Sequence, residues 1–184
     1  MNILTLPIEG LFLLLPTLYS DERGSFQETF CEDEFQKIIG DSNLRFVQDN
    51  QSVSHKNVFR GFHFQIGQFA QAKLVRVIKG AVVDMVIDIR KNSPTYGQMH
   101  SQFLSEENNF QMFVPVGFAH GFVSLEEDTI FQYKCSEYYN KQYEGGINPG
   151  SFLKESYLIS DRDKALPLFD EYINYYEKKL NITF

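Results

Sequence analysis

Short segments in which apolar and polar residues alternate recur along this chain, with turn residues between them. In residues 81–90, the odd-numbered positions form an apolar face, while the other face carries Asp84, Asp88 and Arg90. Side chains two positions apart share a face of a strand, so this segment is predicted to be a strand. The same reasoning predicts strands at residues 11–15, 26–30, 60–65, 73–79, 98–104, 110–114, 121–125 and 129–135.

Two segments have helical rather than alternating spacing. Residues 33–39 are predicted to form a short helix with Asp33 as its N-cap and Gly40 as its end. Residues 170–180 are predicted to form an amphipathic helix with Tyr176 on its apolar face. Many short strands with turns between them, and helices only near the ends, predict an all-β sandwich or barrel. A length of 184 residues fits one domain, 1–184, with a single core.

Charge and cysteine content narrow the class of protein further. The net charge of −7 argues against nucleic acid or an anionic membrane surface as a partner. The apolar run at residues 11–15 is far shorter than the roughly 20 residues of a membrane helix. Cys31 and Cys135 have neither disulfide nor zinc-site spacing. Because the first residues also lack a targeting pattern, we expect a cytoplasmic protein.

Two glycine-marked segments, residues 60–65 and 115–122, each contain one histidine. They have the form of the two half-motifs of a cupin barrel from which metal ligands are missing, because Gln65 stands where a second histidine would be expected. Two histidines and a glutamine are a poor donor set for a divalent ion. The predicted fold is therefore an all-β cupin, a double-stranded β-helix jelly roll with short peripheral helices, and no metal is expected.

Proton transfer is the chemistry that the remaining polar residues favour. Histidine exchanges protons near neutral pH, so His63 is a candidate base. Lys73 on the following strand is a candidate to stabilise an enolate oxygen, and Tyr133 is a candidate acid from the opposite wall. The positive charges of Arg23, Arg60, Lys73 and Arg76 suit a diphosphate ligand. Each residue also has a structural interpretation, as a core histidine, a core tyrosine or a solvated surface charge.

Eight segments in order over nearly the whole chain resemble the dTDP-4-dehydrorhamnose 3,5-epimerase family. Together they are highly specific for that family, although each alone is weak. They are residues 23–30, 47–54, 58–65, 71–80, 84–90 with 93–97, 115–122, 133–135 with 138–139, and 158–167.

The resemblance implies roles for matching residues. His63 resembles the family's general base, Asp163 the carboxylate that pairs with it, Lys73 the lysine near the C4 carbonyl oxygen, and Tyr133 the general acid. The implied binding residues are the substrate contacts Gln48, Asp49, Asn50, Arg60, His120, Glu144 and Arg162, the nucleotide contacts Arg23 and Glu28, which reach a neighbouring subunit's site, and the stacking ring of Tyr139.

The resemblance also implies an activity and its setting. It implies a homodimer without metal or organic cofactor that inverts C3 and C5 of a dTDP-linked 4-keto-6-deoxy hexose. Phe62 replaces the usual leucine, and residues 146–149 lack the family's usual Trp-Asp pair, so the substrate is less certain than the catalytic set. Three alternatives stay open: an epimerase of C3 alone or of another nucleotide sugar, including a GDP-heptose; a metal-dependent cupin oxygenase; and a non-catalytic sugar-nucleotide binder.

Overall fold

The computed structural model describes residues 2–153 and 156–180. Its first seven strands are β1 (Asn2–Thr5), β2 (Phe12–Leu15), β3 (Tyr19–Asp21), β4 (Gly24–Phe26), β5 (Gln48–Ser54), β6 (Val58–Gln65) and β7 (Lys73–Lys79). The later strands are β8 (Ala81–Asp88), β9 (Met99–Ser105), β10 (Gln111–Val114), β11 (Phe118–Ser124), β12 (Thr129–Cys135), β13 (Glu144–Gly146) and β14 (Leu158–Ile159). The α-helices are α1 (Glu32–Ile39), α2 (Asp161–Lys164) and α3 (Tyr172–Leu180), and short 3₁₀ turns lie at Gly67–Phe69, Lys141–Tyr143 and Pro149–Ser151.

Most of these strands form two sheets. One sheet has the order β1-β2-β10-β7-β12-β5, and the other has the order β13-β6-β11-β8-β9. Strand β14 pairs in parallel with β6, whereas the other described pairs are antiparallel, and β3 and β4 form a separate hairpin. Neighbours distant in sequence, such as β2 and β10, require the chain to cross repeatedly between sheets. This arrangement confirms the predicted cupin jelly roll.

The apolar core follows the alternation of the strands. Val82 and Val86 of β8 pack between the sheets with Val75 of β7 and Met112 of β10. The intervening Met85 belongs to a second cluster on the outer side of its sheet. Strand β8 is therefore largely buried on both faces, which requires a further layer outside the barrel.

Helices supply that outer layer. Tyr172 and Tyr176 of α3 are buried in the second cluster, which confirms the predicted amphipathic helix near the C-terminus. On the other sheet, Phe35 of α1 packs against Leu74 and Phe113. Burial of one such side chain contributes about 2 kcal/mol. Within residues 2–153 and 156–180, no helix is long and apolar enough to cross a membrane.

Two sequence predictions fail locally. Helix α1 begins at Glu32 with Cys31 as its N-cap, so the prediction of Asp33 as the cap is wrong. In place of a side-chain cap, the negative charges of the acidic residues in the first turn interact favourably with the unpaired N–H groups there. The predicted strand at 26–30 ends at Phe26. Beyond it the Gln27 side chain donates to Asn109 and the Thr29 carbonyl accepts from Gln111, so side-chain bonds rather than a strand ladder hold these residues.

Candidate active site

The space between the two sheets opens at one end into a cavity of about 760 Å³ that both polar and apolar side chains line. Inward-facing side chains of β5, β6, β7, β11 and β12 form its walls, and residues from the segments near 139–144 and 158–163 form its rim. Phe131, Tyr133 and Cys135 of β12 all line this cavity, as their alternate spacing predicts. The barrel interior is thus largely apolar away from this cavity, and polar side chains gather at one mouth.

His63 and Asp163 form a hydrogen-bonded pair in the wall of the cavity. His63 Nε2 lies 2.7 Å from Asp163 Oδ1. Parallel pairing of β14 with β6 brings the following helix α2 beside His63, and Ser160 caps that helix by accepting a bond from the Asp163 N–H at 3.1 Å. Chain topology therefore joins two residues that are 100 positions apart.

The protonation of this pair follows from the surroundings of the carboxylate. Burial alone would raise the pKa of Asp163, but bonds from His63, Ser160 and the Gly61 backbone lower it on balance. An ionised Asp163 accepts a hydrogen bond, so the proton of a neutral His63 lies on Nε2. The Nδ1 lone pair is then the basic site.

Lys73 and Tyr133 lie close to this base. Lys73 Nζ donates to the backbone oxygen of His63 at 3.5 Å and lies 5.8 Å from the centre of the Tyr133 ring. Burial lowers the pKa of the Lys73 ammonium, while the negative charges nearby oppose the change. Burial raises the pKa of the Tyr133 phenol, which keeps it protonated and able to donate. The imidazole of His63, the amine of Lys73 and the phenol of Tyr133 therefore lie together in one cavity.

A second histidine–aspartate pair lies deeper in the barrel. His120 Nε2 lies 2.9 and 3.0 Å from the two carboxylate oxygens of Asp84. Burial lowers the pKa of His120 and raises that of Asp84. Asp84 was not among the predicted site residues, although a carboxylate flanked by Val82 and Val86 on its own face of the strand was a signal that it needed a buried partner.

Charged residues surround the rim. Arg162 forms an ion pair with Glu144, and the Tyr139 hydroxyl donates to Glu144 at 2.9 Å. Burial would raise the pKa of Glu144, but the bonds from Arg162 and Tyr139 lower it on balance, so Glu144 stays ionised. Arg60 is oriented by Nε, which donates to the Ser54 hydroxyl at 3.0 Å.

The structure brings most of the predicted site residues together, but not all of them. Those that line the cavity are His63, Lys73, Tyr133, Asp163, Gln48, Asn50, Arg60, His120, Tyr139, Glu144 and Arg162. Asp49 lies on the opposite face of β5 and pairs with Lys134 at 3.0 Å. Arg23 is at the exposed β3–β4 hairpin, where it pairs with Asp21 at 2.6 Å, and Glu28 is exposed shortly after that hairpin. Gln71 and Ser160 also line the cavity, and no sequence signal distinguished either of them.

The cupin metal positions offer a poor donor set for a metal ion. His63 and His120 each use Nε2 for a bond to an aspartate, and Gln65, in place of a further histidine, already uses its oxygen to accept a bond from the Asn140 backbone. In the part of the chain that the structure describes, one group of three metal-compatible side chains occurs, His55, Glu127 and Asp128, and it is exposed outside this cavity. The cavity residues therefore do not fit a catalytic metal.

Fold and site together define a class: a cupin-type barrel enzyme equipped for proton transfer on a ligand bound inside the barrel. Residues 5–171 match the family model described as dTDP-4-dehydrorhamnose 3,5-epimerase. The chain belongs to this family.

Individual relatives show the same similarity over nearly the full length. A dTDP-4-dehydrorhamnose 3,5-epimerase from Salmonella typhimurium is 44% identical over 181 residues, which cover 93% of this chain and 97% of the relative. A solved structure from Legionella pneumophila, in complex with dTDP-4-keto-L-rhamnose, has a TM-score of 0.86 and 41% identity and covers 92% of this chain and 93% of its own. A 3'-monoepimerase from Streptomyces bikiniensis, in complex with dTDP-quinovose, has a TM-score of 0.83 and 30% identity and covers 96% of each chain.

Proposed function

We propose that this protein inverts C3 and C5 of dTDP-4-dehydro-6-deoxy-D-glucose and forms dTDP-4-dehydro-L-rhamnose. The observation that carries the proposal is the convergence of the His63–Asp163 pair, Lys73 and Tyr133 on one cavity. Membership of the epimerase family and the similarity to a structure that holds dTDP-4-keto-L-rhamnose support the same substrate.

The reaction follows from the chemistry of a 4-ketone. The carbonyl at C4 makes the hydrogens on C3 and C5 acidic. His63 Nδ1 takes one of these protons, the C–H electron pair moves into the enolate, and the Lys73 ammonium stabilises the negative oxygen. Tyr133 then delivers a proton to the opposite face of the carbon, which inverts it. The imidazolium and phenolate exchange protons with water before the second carbon reacts.

The rim suits the rest of the substrate. Arg60 and Arg162 offer guanidinium groups to a diphosphate, and the Tyr139 ring is placed to stack on the base. Arg23 and Glu28 lie outside the cavity, and in our proposal they act across a homodimer, in the cavity of the partner subunit. The exposure of the hairpin that carries Arg23, including Phe26 at 69%, supports that arrangement.

The proposal also covers the setting of the reaction. The enzyme acts in the cytoplasm as one domain over residues 1–184, without metal or organic cofactor. Dialysis against a chelator, followed by elemental analysis, tests the absence of a metal. Activity is expected to be unchanged after dialysis. Epimerase activity that is lost on dialysis and restored by a transition metal would contradict the proposal that no metal takes part.

A second candidate function is epimerisation at C3 alone, which the similarity to a 3'-monoepimerase favours. Incubation of the protein with dTDP-4-keto-6-deoxyglucose in D₂O separates the two. Two deuterons per sugar, at C3 and C5, are expected for the main proposal, and a single deuteron at C3 would support the second. GDP- and CDP-linked 4-keto sugars tested in parallel identify the base that the rim accepts, and uptake with none of the three would refute both proposals.

A further inference from the structure

The segment Glu137–Asn140 carries the rim tyrosine, and apolar packing does little to hold it. It connects β12 to the 3₁₀ turn before β13, and Tyr138 and Tyr139 are 61% and 49% exposed. An exposed connection of this kind is ordinarily mobile. Its position therefore depends on polar contacts to the barrel.

Three glutamines from neighbouring elements supply those contacts, each through one backbone group of the segment. Gln48 Oε1 accepts from the Tyr139 N–H at 3.0 Å, and Gln65 Oε1 accepts from the Asn140 N–H at 3.0 Å. Gln71 Nε2 donates to the Glu137 oxygen at 2.6 Å. We name this set the glutamine clamp.

We propose that Gln65 and Gln71 are positioning residues that hold Tyr139 over the cavity mouth before the substrate arrives. This inference depends on the proposed function only for the identity of the ligand that Tyr139 contacts. Gln65 stands where a metal-binding cupin would place a ligand, and here its oxygen is used by the Asn140 backbone. Preorganising the rim lowers the ordering cost of binding, so the clamp acts mainly on affinity.

The two glutamines differ in a way that makes the proposal testable. A backbone N–H can only donate and a backbone carbonyl can only accept, so Gln65 must present its oxygen and Gln71 its nitrogen. A Gln65→Glu substitution keeps an acceptor for Asn140. A Gln71→Glu substitution removes the donor and turns a carboxylate towards a carbonyl oxygen. The same change in charge therefore has opposite effects on the clamp.

The first measurement is the dissociation constant for dTDP in the full-length protein. Gln65→Met and Gln71→Met are each expected to weaken binding about five- to tenfold, with the loss larger in KM than in kcat. Gln71→Glu is expected to bind dTDP at least fivefold more weakly than Gln65→Glu. Because both variants add one negative charge near the diphosphate, the difference between them reports the lost donor. Gln51→Met, on the exposed opposite face of β5, is the matched control and is expected to change affinity less than twofold.

The second measurement is hydrogen exchange at the Asn140 amide, which needs no substrate. The amide is expected to stay protected in the wild type, Gln65→Glu and Gln51→Met, and to exchange at least tenfold faster in Gln65→Met. Equal dTDP affinity of the two glutamate variants, or unchanged exchange at Asn140 in Gln65→Met, would overturn the clamp. A wild type that takes up no deuterium into the sugar would refute the proposed function but leave the exchange result at Asn140 readable.

Discussion

Two histidine–aspartate pairs lie side by side in this barrel, and they differ chiefly in their access to the cavity. His63 and His120 face each other across the antiparallel strands β6 and β11. The His63 side chain is 31% exposed and its partner Asp163 is 6% exposed. The His120 side chain is 7% exposed and Asp84 is fully buried. Only the first pair can change its protonation during a reaction without charging the deep interior.

The carboxylates of the two pairs also differ in their number of donors. Asp163 receives bonds from His63 and from the start of α2, and these outweigh burial and lower its pKa. Asp84 has His120 as its hydrogen-bonding partner, and burial raises its pKa. Similar pairs of residues therefore serve different purposes. In the proposed reaction the open pair provides the base. In the buried pair, His120 lines the cavity and the Asp84 carboxylate opposes the lowering of the pKa of Lys73.

The largest expected effect comes from removing the charge of the open pair. Asp163→Asn allows the amide to donate to His63 Nε2 and so stabilises the wrong tautomer. Deuterium uptake into the sugar is expected to fall roughly 10⁴-fold, as for the equivalent substitution in a serine protease triad. The free energy of unfolding is expected to fall by about 1 kcal/mol. A loss of stability with little loss of exchange would show that this pair is structural.

The next effect concerns the buried pair. Asp84→Ala leaves His120 and Lys73 without their nearest buried carboxylate, so the free energy of unfolding in urea is expected to fall by about 3 kcal/mol. Asp163→Ala is the matched control, with an expected loss of about 1 kcal/mol, because the half-exposed His63 can be hydrated. Equal losses at the two positions would remove the distinction between the pairs.

The smallest effect is the pH dependence of stability. The pKa of Asp163 is lowered from about 3.8, so its stabilisation is fully present above that pH and is lost as the pH falls through the lower folded value. The pKa of Asp84 is raised from about 3.8, so its ionisation destabilises the folded state. This destabilisation is absent below pH 3.8 and grows as the pH rises towards the higher pKa of the folded state. Each pKa unit corresponds to about 1.4 kcal/mol.

Unfolding of Asp84→Asn and Asp163→Asn between pH 2 and pH 7 measures these two contributions separately. Relative to each variant, the wild type is expected to gain stability from Asp163 as the pH rises towards 3.8, and to lose stability from Asp84 as the pH rises above 3.8. If the difference in stability between the wild type and each variant changed with pH in the same direction at both positions, the opposite pKa shifts of Asp163 and Asp84 would be contradicted.

The alternation of apolar and polar residues along the chain predicted the barrel. Within a single strand, it also predicted which side chains point inward. Alternation placed Val82 and Met85 on opposite faces and Tyr133 beside Phe131 and Cys135, because strand geometry has a period of two. The same rule places Asp49 away from the cavity, since its neighbours in β5 face inward.

Contacts between distant segments could not be derived in this way. The pairing of His63 with Asp163 depends on β14 adding to β6, which no local pattern specifies, and sequence reasoning reached it only through the family resemblance. Asp84, Gln65 and Gln71 were not predicted because their partners lie on distant segments of the chain. The clamp bonds also end on backbone atoms, which leave no trace in residue identity.

The most direct test of the account is solvent exchange by the two histidine variants. His63→Ala and His120→Ala are each incubated with dTDP-4-keto-6-deoxyglucose in D₂O, and the sugar is analysed for deuterium at C3 and C5. No incorporation is expected with His63→Ala, and reduced but measurable incorporation is expected with His120→Ala. Incorporation that persists in His63→Ala would contradict the assignment of His63 as the base.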